Sequence, residues 1–376
     1  MPALTFLSLG VLYPQPHRSF ETRPWHSTKN GETNGSQAIP PVSEAKVAAA
    51  LPRLDEIASL AAKNDIPGLA IAVVYQDRVV HLKGFGVREV GKPDLIDADT
   101  VFQLASMSKP IASTIVSAVV GDGLASWDDP VVRHLPDFRL NDPYVTEHVT
   151  LRDMFSHRSG LPGYAGDNVE AFGRTGDIVM KRLQSLPLGN RFRATYAYTN
   201  YGLCSASYAA AKAAGKSWPD LAQDRLYAPL GMTSTSSHYE DFRNRPNRAR
   251  LHVPIDGKWV AKFEVPTDEK SPSGGVSSSV RDLAQWVRLQ LGGGKVGGKT
   301  IVDPGALAET HRPHSSPHFA IATADAKTPS EIPLFCIVRQ TIMRRFYRDE
   351  DRCGPASRFL RSSGAALVRY CGGSTG

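Results

Sequence analysis

Phe102-Gln103-Leu104-Ala105-Ser106-Met107-Ser108-Lys109 is the stretch on which the fold reading turns. The apolar pattern that follows predicts a helix over 107–120, stopped at Asp122-Gly123. Ser106 and Lys109 stand three apart at its start, so they share one helical face and Lys109 Nζ can reach Ser106 Oγ. The helix N-terminus adds positive potential at the serine. A neutral or partly desolvated lysine there can take the serine's proton, or keep a neighbouring base ionised. By itself S-x-x-K is a weak pattern, met by chance as a serine cap followed by a solvated lysine.

Downstream stands Thr195-Tyr196-Ala197-Tyr198-Thr199-Asn200-Tyr201-Gly202. Tyr198 can act as a base only if a cation lowers its pKa from about 10, and Lys109 is the candidate cation. Asn200 can bond both that lysine and a substrate carbonyl. The plain alternative is an aromatic turn with an Asn cap before a helix at 201.

The rest of the chain supplies the frame. Leu51, Leu54, Ile57 and Ala61 recur at helical spacing and predict a helix over 44–63. Leu69 to Tyr75 and Arg78 to Phe85 are apolar, β-branched runs flanking Gln76-Asp77, which reads as a hairpin. Further helices are expected at 150–156, 201–214 and 280–291, the last with Ser279 and Asp282 as a capping box. Helices and antiparallel hairpins in one chain define an α+β fold.

The two motifs stand among other blocks in a fixed order. These are Asp128-Asp129-Pro130-Val131, then Thr150-Leu151-Arg152-Asp153-Met154-Phe155-Ser156-His157-Arg158-Ser159-Gly160-Leu161-Pro162, then Tyr198-Thr199-Asn200. Pro229-Leu230-Gly231-Met232 follows, and then Ser273-Gly274-Gly275-Val276-Ser277-Ser278-Ser279 leading into Asp282-Leu283-Ala284. The ordered set resembles the serine hydrolase superfamily of class C β-lactamases, penicillin-binding-protein-like D-Ala-D-Ala peptidases and their esterase relatives. The likeness runs from about Ile66 to about Thr310.

That resemblance implies a β-lactamase/transpeptidase-like fold: an antiparallel sheet flanked by helices, plus an all-helical subdomain. It implies Ser106 as the nucleophile of an acyl-enzyme mechanism. Lys109 and Tyr198 would move its proton, and Asn200 would orient the substrate. The backbone N–H of Ser106 would form half of an oxyanion hole. Asp128, His157 and Gly160 would shape the scaffold. No cofactor and no metal are implied, and the partner is a small ester, amide or β-lactam. An esterase or transesterase is favoured, because Ala105 before Ser-Met-Ser-Lys and the Tyr-Thr-Asn wording resemble the esterase-like branch.

The sequence also departs from the pattern. A third motif, Lys or His, any residue, then Gly, is expected on a strand near the C-terminus, where it would line the site. Ser374-Thr375-Gly376 has the wrong first residue, and His311-Arg312-Pro313 lacks the glycine. The alternative reading is therefore a catalytically impaired relative lacking that motif. Three organisational segments follow: a flexible leader at 1–42, a hydrolase domain at 43–312, and an atypical basic tail at 313–376. From His311 onward ten Lys/Arg face five Asp/Glu, while the whole chain carries +7. The tail's composition does not support the three strands and closing helix the resemblance calls for, so the C-terminal strands are expected to be incomplete. A shifted reading frame is favoured over a genuine basic tail.

Composition narrows the rest. The 376 residues are 41% hydrophobic and 22% charged, and no apolar run reaches the roughly 18 residues of a membrane span. The four cysteines form no C-x-x-C pair. The tail's aromatics make no stacking platform, so nucleic acid is not an expected partner. Ala3 to Leu12 is apolar but lacks a basic start and a small-residue exit, which favours the cytoplasm over export. Two decoys remain. Gly293 to Thr300 fits a phosphate-loop pattern, but an expected helix precedes it where a strand is needed. His311, His314 and His318 fit no regular face, and a loop is the expected reading there.

Overall fold

Helix α1 (Glu44–Asn64) leads into the hairpin of β1 (Gly68–Tyr75) and β2 (Arg78–Gly86). The structure, a computed structural model, describes residues 42–64, 66–314, 334–339 and 366–369. The leader reading over 1–41 lies outside them. Tyr75 pairs with Arg78, so Gln76 and Asp77 alone make the turn, with Gln76 at φ +53°. Asp77 secures the hairpin tip by accepting from Arg288 Nε and Gly297 N.

All eight residues of β1 are buried, because both faces of the sheet are covered. Alternation assigns the faces. Leu69, Ile71, Val73 and Tyr75 pack with Val47, Leu54 and Ala58 of α1. Ala70, Ala72 and Val74 enter the main core. That core also takes Ile111, Ile115 and Val119 of α2 (Ser108–Gly121) and Leu203, Ala206 and Ala210 of α3 (Asn200–Ala213). Leu283, Ala284 and Val287 of α4 (Val280–Leu291) complete it.

Between α2 and α4 the chain is built mainly of short helices, including Leu151–Phe155, Asp167–Ala171 and Gly176–Arg182. The expected α+β class, with a sheet flanked by helices and a helical region beside it, is what forms. The helices expected at 44–63, 107–120, 150–156, 201–214 and 280–291 are all present within about a residue of those bounds. One detail differs. Ser279 caps α4 by accepting from Asp282 N, but Asp282 does not close the reciprocal box. Its carboxylate instead accepts from Ser234 N and Thr235 Oγ1, which ties α4 to a loop 48 residues upstream.

The tail adds strands to the sheet, fewer than the three the resemblance implies. Strands β3 (Leu334–Arg339) and β4 (Ala366–Arg369) extend it in the order β4-β3-β1-β2, every pair antiparallel. Leu69 lies opposite Arg339 and Val74 opposite Leu334, and β4 runs from Ala366 opposite Val338 to Arg369 opposite Phe335. The physical reason is local. Leu-Phe-Cys-Ile-Val is a run of five apolar residues, two of them β-branched, ahead of Arg339, and an unpaired edge of β1 is a template for such a segment. Average composition across an arginine-rich tail conceals it. Two strands are present among the described residues, one fewer than the resemblance implies. No helix among the described residues is long and apolar enough to cross a membrane.

A chain ended at His314 would leave the 69–74 backbone of β1 unpaired on one side. It is expected to melt more than about 5 °C lower than the full chain and to self-associate through that edge. Thermal unfolding with light scattering checks this. Equal stability would make the segment up to 312 self-sufficient.

Candidate active site

Ser106 sits in the tight turn Ala105–Met107 that opens into α2. Ala105 holds φ +48°, a left-handed conformation that a residue with a Cβ keeps only when its surroundings impose it. The clamp is the 276–278 segment. Phe102 and Gln103 pair with Ser278 and Ser277, Leu104 N donates to Val276 O, and Val276 N donates to Ser108 Oγ. The Ser106 turn is thus fastened on both sides to one distant stretch of chain.

Lys109 is 8% exposed and meets three polar groups. Its Nζ lies 2.7 Å from Asn200 Oδ1, 2.7 Å from the Ser273 carbonyl oxygen and 3.3 Å from Ser106 Oγ. Burial lowers its pKa to about 7, opposed by Cys204 and Asp167. A neutral lysine amine has two N–H donors and one lone pair. Asn200 Oδ1 and Ser273 O can only accept, so they take both donors. The lone pair is left for the Ser106 hydroxyl.

Tyr198 completes the set, with Oη 2.7 Å from Ser106 Oγ. Its backbone carbonyl accepts from Tyr164 N. Thr199 N donates to His157 Nδ1 at 3.2 Å, and the Tyr198 ring lies 4.8 Å from His157 and 5.4 Å from Tyr164 between centroids. His157 is therefore a buried bracket for the tyrosine. Burial, with the nearby Lys109 charge, holds its pKa down at about 3, so it is neutral with its proton on Nε2. Gly160, at φ +86°, turns the chain beside it as glycine does most readily. Asp128 lies further out and pairs with Arg152.

The expectation that Lys109 lowers the tyrosine's pKa is corrected. Lys109 Nζ stands 4.7 Å over the Tyr198 ring, but burial pushes the phenol up to about 12, with the Ser106 bond only partly opposing. With its own pKa near 7, Lys109 has lost its charge well below the pH at which the phenol ionises, so it does not offset the desolvation. Tyr198 is a phenol, and Lys109 is the group that titrates near neutral pH.

All four sequence-nominated residues, Ser106, Lys109, Tyr198 and Asn200, are brought together. Two contributors were not nominated. The Ser273 carbonyl lay inside a quoted block, but a backbone acceptor carries no side-chain signal. Asp167 accepts from Asn200 Nδ2 at 3.1 and 2.9 Å and opens the short helix Asp167–Ala171, which no sequence pattern announced. A cavity of about 310 Å³ opens beside Lys109, Trp127 and Tyr196. Neither Ser106, Tyr198 nor Asn200 lines it, so it is not the acyl pocket of this site.

The decoys resolve into structure. Lys295–Val296 pairs with Lys299–Thr300 across Gly297 and Gly298, both at positive φ, so the phosphate-loop pattern is a two-residue hairpin. His311 Nε2 lies 2.9 Å from Gln290 Oε1 and His314 Nε2 lies 2.9 Å from Glu309 Oε1, two separate partnerships. His318 lies outside the described residues.

A serine held beside a buried amine and a phenol is an arrangement able to support nucleophilic chemistry. The family model described as Beta-lactamase matches residues 54–326, and the chain belongs to that family. It is 28% identical over 238 residues to an unguisins hydrolase of Aspergillus campestris, covering 60% of this chain and 44% of that protein. It is 28% identical over 243 residues to penicillin-binding protein 4 of Amycolatopsis lactamdurans, covering 63% of this chain and 62% of that protein. The chain thus spans less than two thirds of the length of these curated relatives. Among solved structures it is similar to an octameric penicillin-binding protein homologue from Pyrococcus abyssi, with TM-score 0.61, 20% identity, and coverage of 77% of this chain and 65% of that one. That likeness is one of fold.

If the neutral amine of Lys109 accepts the Ser106 proton, covalent labelling of Ser106 by a fluorophosphonate should speed up as pH rises through about 7. The sign follows from the acceptor being the deprotonated form. Lys109→Met should slow labelling and remove that limb. A rate independent of pH between about 5 and 9 would take Lys109 out of the role.

Proposed function

We propose that this chain is a serine hydrolase that cleaves small esters or amides through an acyl-enzyme on Ser106. The observation that carries the reading is the position of Ser106 Oγ, 2.7 Å from Tyr198 Oη and 3.3 Å from Lys109 Nζ.

The steps balance within the four residues. Neutral Lys109 takes the Ser106 proton as Oγ bonds to the substrate carbonyl carbon. The resulting oxyanion is held by the Ser106 backbone N–H and by an N–H of β4, whose backbone approaches the 105–107 turn. The C–O or C–N bond then breaks. Tyr198 gives its proton to the departing alcohol or amine and recovers one from the Lys109 ammonium. Water repeats the sequence: its proton passes through Tyr198 to Lys109, its oxygen attacks the acyl carbon, and the Lys109 proton returns to Ser106. Asn200 offers its amide to the acyl side of the substrate.

Esters rank ahead of β-lactams, because the wording around Ser106 and Tyr198 resembles the esterase-like branch. Neither β3 nor β4 carries a Lys/His-x-Gly, and Lys295-Val296-Gly297 belongs to a hairpin elsewhere, which bears on rate. One oxyanion donor is worth about 10²–10³-fold in other enzymes, and a backbone N–H on β4 needs no particular side chain.

Purified protein should hydrolyse a p-nitrophenyl short-chain ester with a burst, and Ser106→Ala should abolish both burst and turnover. Tyr198→Phe should lower kcat/KM by about 100-fold. Equal rates for the wild type and Ser106→Ala would mean a relative by descent without working chemistry.

A further inference from the structure

Asp167 opens the short helix Asp167–Ala171 and has no part in the proton path above. Yet both of its carboxylate oxygens accept from Asn200 Nδ2, and Asn200 Oδ1 accepts from Lys109 Nζ. A carboxylate only accepts, so it fixes which end of the amide faces it. The oxygen is thereby turned toward Lys109. Reversed, the amide would set its N–H groups against the lysine's own donors.

The charges around the pair identify the anion that matters. Besides Asp167, Lys109 is faced by Cys204 and Lys270, with Tyr198 and His157 against it. Asp167 is faced by Lys270, Glu170 and Lys109. Glu170 and Lys270 neutralise one another as an ion pair. Burial pushes the Cys204 thiol up to about 11, so it is uncharged at neutral pH. The phenol of Tyr198 and the imidazole of His157 are uncharged as well. Asp167 is the remaining anion of the group. Burial raises its own pKa, and the two bonds from Asn200 and the charge of Lys270 oppose the rise.

We propose that Asp167 is a positioning residue for the Ser106–Lys109 pair. Its carboxylate locks the Asn200 amide with its oxygen toward Lys109, and its charge, acting across that amide, sets the pH at which Lys109 gives up its proton. The consequence for turnover rests on the hydrolase reading; the linkage between Asp167 and Lys109 does not.

The test reads Lys109 directly. Full-length protein carrying ¹³C at lysine Cε is titrated by NMR, with the Lys109 signal assigned by its loss in Lys109→Met. In Asp167→Asn, which keeps a bond to Asn200 but no charge, the Lys109 midpoint is expected to fall by about one pH unit. Asp167→Glu, which restores the charge, should bring it back toward the wild-type value. In ester hydrolysis the acid limb of kcat/KM should move by the same amount. An unmoved Lys109 midpoint in Asp167→Asn overturns the proposal, even if that variant melts earlier. If Asp167→Asn does not fold, Asp167→Ser, read the same way, decides. A shifted midpoint in a protein with no Ser106-dependent turnover would keep the linkage and sink the hydrolase reading. Turnover with an unmoved midpoint would do the reverse.

Discussion

The desolvation of a single amine governs the site. Lys109 lies under the 105–107 turn with its two shortest bonds aimed at acceptors, and burial, the largest influence on it, outweighs the opposing Cys204 and Asp167 to bring its pKa to about 7. In water the same amine would be protonated at every physiological pH and could take nothing from a serine. Every element that excludes water from it therefore bears on the chemistry. Those elements are α2, which carries it, α3, which brings Asn200, and the 271–278 segment, which brings the Ser273 carbonyl and clamps the Ser106 turn.

The same burial divides labour between two groups that could each move a proton. It lowers the pKa of an amine and raises that of a phenol, because in each case it disfavours the charged form. Lys109 becomes able to accept near neutral pH, while Tyr198 keeps its proton and stays a donor. An acceptor and a donor beside one hydroxyl suit general acid–base chemistry. His157, neutral and bonded through Nδ1, adds no competing charge.

The sheet shows where a reading by composition fails. The hairpin Gly68–Gly86 and helices α1 to α4 were legible because their periodicity or β-branched runs are local. Strand β3 was not. Its five apolar residues lie in a stretch whose average composition is basic, and their partners, the open edge of β1 and the distant β4, are not visible locally. Asp282 teaches the same lesson on a smaller scale. Its position three residues after Ser279 fits a local cap, but Ser234 N and Thr235 Oγ1 compete for its carboxylate and win it.

By itself the sequence determined the class of fold and nominated four residues of the candidate site. Ser106 and Lys109 are bound by helical spacing, Tyr198 and Asn200 stand two apart in one segment, and the order of the blocks between them carries the family likeness. Tertiary structure decided what those residues can do. The pKa values of Lys109 and Tyr198 depend on how much water the surrounding elements exclude, and no local pattern encodes that. The contacts of Asn200 with Asp167 and of Lys109 with Ser273 join positions 33 and 164 residues apart. Separations of that size come from packing, because hydrogen bonds and desolvation act through space and not along the chain.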